Sequence, residues 1–191
     1  ASLFTELEAR RVPVKLVQSA PMKGKALWQE GGEGRELDFE APEVTPPDFP
    51  EDQRNLFVEV LTLMNERGVP YVVSGAFALQ QHTGIWRNTK DLDLFMAPSD
   101  VPRALAELIA AGFKTEVCDP VWLWKAHRAG YFVDIITGMS NAVITVDSSW
   151  VERAVHSNIL GVPSRVLAAE ELIASKLFVT RRERFDGADI V

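Results

Sequence analysis

The chain has 191 residues, 47% hydrophobic and 25% charged, with 27 acidic against 20 basic side chains and a formal net charge of -7. That length suits one domain with or without an appendage, and the balance excludes a wholly disordered, collagen-like or low-complexity chain. The acidic excess argues against a polyanion as the main partner. The apolar runs are too short and too broken by charge for a membrane-spanning helix, and the single Cys118 excludes an internal disulfide and a cysteine zinc site. A reducing, cytoplasmic setting is the corresponding expectation.

The first fifty residues stand apart. They carry Gly31, Gly32 and Gly34, then Pro42, Pro46, Pro47 and Pro50. Short strands are expected over 12–17 and 35–39, the first demoted to an edge by Pro13. Residues 1–50 read as an arm or small β appendage, suited to packing on the main body or joining copies into a homo-oligomer. The proline cluster at 46–50 is the expected boundary, and residues 51–191 form the main domain.

From Glu51 the pattern is regular. Leu56, Phe57, Val60, Leu63 and Met64 recur at helical spacing and Gly68 stops the helix. Tyr71-Val72-Val73 reads as a strand, broken by Ser74-Gly75, with a helix beginning at Ala76. Residues 91–96 begin by alternating acidic and apolar side chains, which predicts a strand with two unlike faces. Ser99 caps a helix that runs to Gly112, with Pro102 tolerated in its first turn. Strands follow over 114–117, 121–128 and 131–136, the last two joined by a hairpin turn at Ala129-Gly130. A short helix is expected over 148–155 and a tight turn within 159–166, at Gly161 and Pro163. A last helix over 168–182 starts acidic and ends basic, matching its dipole. This order predicts an α+β (mixed α/β) domain around one small sheet.

The informative stretch lies between Val72 and Met96. On a strand, Asp91 and Asp93 share a face while Leu92 and Leu94 point away. Like charges side by side repel, so the pair must face water or hold a cation, and such oxygen ligands suit Mg²⁺ or Mn²⁺. Ser74-Gly75 sits where a strand gives way to a helix. Glycine there lets a ligand approach the backbone, and the helix N-terminus offers free N–H groups to a phosphate. Asp134 interrupts the apolar run Tyr131 to Ile136, where a carboxylate needs a partner or a metal. Taken singly, each feature has a bland alternative: a solvated strand end, a plain turn, a carboxylate bonded to backbone. Their combination is what points to phosphate chemistry. Trp122 and Trp124 share one face of their strand and read as core or as a stacking platform. His82, His127 and His156 have no metal-ligand spacing and read as structural or surface groups.

In this order the motifs resemble the signature of the polymerase-β-like nucleotidyltransferase superfamily: a small-residue turn opening a helix, an Asp-x-Asp strand, and a third carboxylate on a later strand. Ser74-Gly75, Asp91-Leu92-Asp93 and Asp134 occupy those places. Ala78-Leu79, the lead-in Arg87 to Lys90, the late helix with Lys176, Arg181-Arg182 and Asp186 to Asp189 are similar to its minimal bacterial branch, which holds aminoglycoside nucleotidyltransferases and abortive-infection-type toxins. The resemblance covers about residues 55–190. Here the turn reads Ser-Gly rather than the common Gly-Gly or Gly-Ser, Lys90 stands where the pattern prefers an apolar residue, and relatives usually continue with further helices beyond the place where this chain ends.

The resemblance implies a small mixed sheet flanked by helices and a metal-dependent transfer of a nucleoside monophosphate from an NTP to a hydroxyl, with release of pyrophosphate. Asp91, Asp93 and Asp134 would hold Mg²⁺ or Mn²⁺, Asp134 would accept the hydroxyl proton, and Ser74, Gly75 and Lys176 would contact the triphosphate. The acceptor would be a small molecule, a protein or an RNA end. The alternative is a catalytically inactive relative that binds nucleotide or a partner protein. A haloacid-dehalogenase phosphatase would want a Thr or similar residue where Phe95 stands, and an Asp-x-Asp sugar transferase normally needs a larger domain.

Overall fold

In the computed structural model, residues 23–30, 33–40, 48–139 and 143–180 are described. They fall in two compact units, within Ala1–Ala41 and Pro42–Val191. In the first, strands Lys23–Glu30 (β1) and Glu33–Glu40 (β2) pair antiparallel, from Lys23 opposite Glu40 to Glu30 opposite Glu33. The strand expected over 35–39 lies inside β2. β1 was not anticipated, because Lys-Gly-Lys-Ala-Leu-Trp-Gln-Glu has no clean period of two. The strand expected over 12–17 lies outside the described residues, as do Arg181-Arg182 and 186–189.

The second unit is built on a mixed seven-stranded sheet. Its elements run Glu51–Glu66 (α1), Val72–Val73 (β3), Gly75–Thr83 (α2), Asp91–Phe95 (β4), Val101–Ala110 (α3), Lys114–Asp119 (β5), Leu123–Arg128 (β6) and Tyr131–Ile136 (β7). Gly138–Met139 (β8), Ile144–Thr145 (β9), Ser148–Arg153 (α4), Val155–Ile159 (β10), Val162–Val166 (β11) and Ala169–Thr180 (α5) follow. The strand order is β10-β11-β3-β4-β7-β6-β5, and β8 pairs with β9 separately. β4 runs parallel to β7 and antiparallel to β3. This is the mixed sheet with flanking helices that the sequence implies. Among the described residues, no helix is long and apolar enough to cross a membrane.

Two hairpins are set by their turns. Ala129 and Gly130 both have positive φ (53° and 86°), as do Leu160 and Gly161 (54° and 93°). Paired positive φ values fit the type I′ turn that matches strand twist. The first turn fixes β6 against β7, with Arg128 opposite Tyr131 and Lys125 opposite Asp134. β6 begins two residues later than expected. The Asp119 carboxylate accepts from the Val121 N–H (2.8 Å), and Thr137 binds the carbonyls of Val121 and Trp122. Trp122 therefore lies in a turn, while Trp124 packs against the core. The shared strand face expected for the two residues thus applies to Trp124 alone.

The core follows the alternation. Leu92, Leu94, Val133 and Ile135 are fully or almost fully buried, as are Phe57, Val60, Leu61 and Met64 on α1 and Leu108 on α3. At the start of α2, Phe77 joins Phe49, Phe57 and Trp86, with ring centroids 4.9–5.9 Å apart. Phe77 is 1% exposed, so it ties α2 to α1 and to the segment leading into β4. Phe77→Ala is expected to lower stability by about 3–5 kcal/mol, read as a lower denaturant midpoint with an unchanged slope.

Candidate active site

The site begins where β3 stops. Val72 and Val73 are buried, and Ser74 leaves the strand in extended geometry (φ -121°) before Gly75 opens α2 at φ +61°. The Ser74 N–H donates to the Asp93 carbonyl (3.0 Å), and the Ser74 carbonyl accepts from the Ala78 N–H (3.2 Å). The turn is thus stitched to β4 beside Asp93. A Cβ on Gly75 would lie 1.8 Å from Asp93 Oδ2 and 2.9 Å from its Cγ. Two separate requirements meet at Gly75: a left-handed backbone, and space for a carboxylate.

β4 presents Asp91 and Asp93 on one face and buries Leu92 and Leu94 on the other. Parallel pairing sets Asp134 of β7 directly beside Asp93. One oxygen from each of Asp91, Asp93 and Asp134 lies within 4.8 Å of the other two. The sequence expectation that these groups gather is met in geometry. Thr89 Oγ1 donates to the Asp91 carboxylate. Gln53, buried on the first turn of α1, donates from Nε2 to the Thr89 carbonyl (2.8 Å) and so anchors the lead-in to β4.

Charge is concentrated here. Burial first, then the neighbouring Asp91 and Asp134, push the Asp93 carboxyl up to about 7, against the pull of Lys176 and Lys125. Asp134 is also raised, by burial, with Lys125 opposing. Lys125 Nζ stands 3.0 Å from Asp134 Oδ1 and 3.2 Å from Oδ2. Only the contact with Oδ2 has hydrogen-bond geometry, so Oδ1 is a buried oxygen without a hydrogen-bond donor. Burial works against the charge on Lys125, but the bond and charge of Asp134 outweigh it and raise its pKa.

A cleft of about 270 Å³ opens over this face, lined by Ser74, Gly75, Asp91, Asp93, Arg87 and Lys176 among others. Asp134 flanks that cleft rather than lining it. Lys176 reaches it from α5, which packs against α2. All the residues expected at the site therefore converge, and three others join them. Gln53 had no signal of its own, and Thr89 only its place in the lead-in from Arg87 to Lys90. Lys125 did, through the register that the Ala129-Gly130 turn imposes.

The family model described as "Nucleotidyl transferase of unknown function (DUF2204)" matches residues 53–191. The chain belongs to this family. The matched span of this nucleotidyl transferase family member holds every site residue described above. No curated protein sequence matches it. Among solved structures, it is similar to the antibiotic-resistance factor ANT(2'')-Ia in solution, at 17% identity and a TM-score of 0.55, covering 70% of this chain and 74% of that one. The crystal structure of ANT(2'')-Ia in complex with adenylyl-2''-tobramycin gives 17% identity and a TM-score of 0.53, covering 69% and 78%. The lincosamide antibiotic adenylyltransferase LnuA, bound to lincomycin, gives 18% identity and a TM-score of 0.54, covering 75% and 96%. These likenesses establish a shared nucleotidyltransferase-like fold.

Proposed function

We propose that this protein is a metal-dependent nucleotidyltransferase that moves a nucleoside monophosphate from an NTP to a hydroxyl acceptor and releases pyrophosphate. The observation that carries the reading is the meeting of Asp91, Asp93 and Asp134 beside a glycine turn with a helix N-terminus. The donor set fits a hard divalent cation: all oxygen, closely spaced, and including a buried oxygen with no hydrogen-bond donor. Asp91, Asp93 and Asp134 would hold Mg²⁺ or Mn²⁺. Once bound, the ion supplies charge neutralisation at the α-phosphate and the departing pyrophosphate.

The protein's own groups do the rest. Backbone N–H groups at the start of α2 bind the far phosphates and orient the triphosphate. Lys176, which lines the same cleft, adds a point charge. The acceptor oxygen attacks the α-phosphorus as the bond to the β-phosphate breaks, and Asp134 takes the hydroxyl proton. Similarity to enzymes named for small antibiotics favours a small hydroxylated acceptor, as does the net charge of -7, which disfavours RNA. The test is pyrophosphate release from each NTP, with Mg²⁺, across a panel of hydroxylated acceptors. Mg²⁺-dependent NTP binding without turnover on the whole panel would favour the inactive alternative.

The pH dependence has a definite sign. With the Asp93 pKa raised to about 7, protons compete with the ion below that value. Apparent Mg²⁺ affinity is expected to fall up to about tenfold per pH unit below 7 and to level off above it. Thermal melts with and without Mg²⁺ at pH 6 and pH 8 check this, the larger stabilisation being expected at pH 8.

A further inference from the structure

Lys125 lies outside the residues that the proposed reaction uses, yet it makes a direct ionic contact with the acid cluster. The β6–β7 hairpin sets it opposite Asp134, and its ammonium lies within 3.2 Å of both carboxylate oxygens. Its position is constrained from a second side, because Nζ sits 5.1 Å from the centroid of the Phe132 ring. Its side chain is 26% exposed and that of Asp134 13%, so water screens the pair weakly. The strand partner on its other flank is Glu116 of β5.

We propose that Lys125 is a resident counter-ion, a positioning residue that occupies Asp134 and holds down the site's own affinity for divalent cations until the nucleotide brings its charge. Three ionised carboxylates carry a formal charge of -3, and Lys125 sets one ammonium against it at Asp134, while Lys176 acts on Asp93. A cation bound among Asp91, Asp93 and Asp134 must share Asp134 with this ammonium. The metal-free cluster is thereby compensated, and an ion held by few carboxylates completes its shell on substrate phosphates. The inference rests on the nucleotidyltransferase reading of the same site.

The experiment measures Mn²⁺ binding to the full chain without nucleotide, by the magnetic resonance signal of free Mn²⁺, at pH 8 and fixed ionic strength. Lys125→Met is expected to bind Mn²⁺ about tenfold more tightly than wild type, since a like charge has been removed from beside the ion. Lys125→Arg, which keeps the charge, is expected within about twofold of wild type. Lys125→Gln removes the charge with a polar side chain and is expected to tighten binding as well, which provides a second variant should the methionine variant fold poorly. A merely structural lysine would lower the melting temperature in these variants without tightening metal binding. Equal or weaker Mn²⁺ binding by the neutral variants, with wild-type binding present and lost in Asp93→Asn, overturns the counter-ion role alone. Absence of Mn²⁺ binding in wild type overturns it together with the metal-dependent reading.

Discussion

Asp93→Asn is expected to abolish nucleotidyl transfer, by about a thousandfold or more, while leaving the metal-free protein more stable than wild type. Both effects come from one side chain. Asp93 stands between Asp91 and Asp134, and burial together with those two charges raises its carboxyl from the ordinary 3.8 to about 7. Between those values the native state binds more protons at this position than the unfolded chain does. Stability from this group is therefore fully present at acid pH and lost as pH rises through about 7. An amide of the same shape removes the strained charge. The displacement of the pKa caps the gain at roughly 4 kcal/mol, and solvent reaching a half-buried carboxyl reduces it to about 2 kcal/mol. For a chain of this length that is roughly 4–8 °C in melting temperature. Melts at pH 8 in a chelator, beside pyrophosphate-release assays with Mg²⁺, read the two effects together. Turnover at the wild-type rate would end the catalytic role proposed for Asp93. A melting temperature below wild type would mean that its charge is favourably held in the metal-free fold.

Such opposed effects are what the proposed function requires: a site that carries charge for chemistry rather than for folding. The surrounding residues differ in how far the sequence alone makes them readable. Leu92 and Leu94 alternate with Asp91 and Asp93, and period two alone separates a buried face from an acidic one. The late helix was legible from its apolar spacing and its acidic start, which brings Lys176 within the same element. Asp134 stood out as a carboxylate in an apolar strand, but its alignment with Asp93 depends on parallel pairing of β4 with β7. That crossover passes through α3, β5 and β6, and local sequence does not specify its register. Gln53 resembles an ordinary polar residue in a helix's first turn, and only the tertiary fold brings its amide to the Thr89 carbonyl.

Lys125 is the instructive omission. The Ala129-Gly130 turn was legible, and a two-residue hairpin pins the register of both strands. Counting outward from Arg128 opposite Tyr131 pairs Lys125 with Asp134. An acid in an apolar strand needs a partner, and the cross-strand position holds a lysine. The signal was present but required joining a turn to a register. Trp122 shows the reverse: its alternation with Trp124 was visible, but the Asp119 turn and the Thr137 contacts draw it out of the strand.

Gly75→Ala is expected to lose both stability and activity, through two contributions that can be separated. The first belongs to the backbone. At φ +61° an L-residue costs about 1–2 kcal/mol relative to glycine. The second belongs to the neighbour, since the added methyl would fall 1.8 Å from Asp93 Oδ2, a distance no packing adjustment of the methyl itself can accommodate. Either the Asp93 carboxyl rotates away or the start of α2 shifts. The sum is about 2–4 kcal/mol, with transfer reduced by a hundredfold or more because the proposed ligand carboxylate or the proposed phosphate seat would have moved. Placing the same change in an Asp93→Ala background removes the atoms that collide. There Gly75→Ala is expected to cost only the backbone contribution, so a double-mutant cycle on denaturant stability should return a coupling of about 1–2 kcal/mol. A coupling near zero would mean that the turn and the carboxylate do not touch. Gly75 would then be required for its φ alone, and the close approach that sets the Ser-Gly turn against the acidic strand would no longer account for the site's geometry.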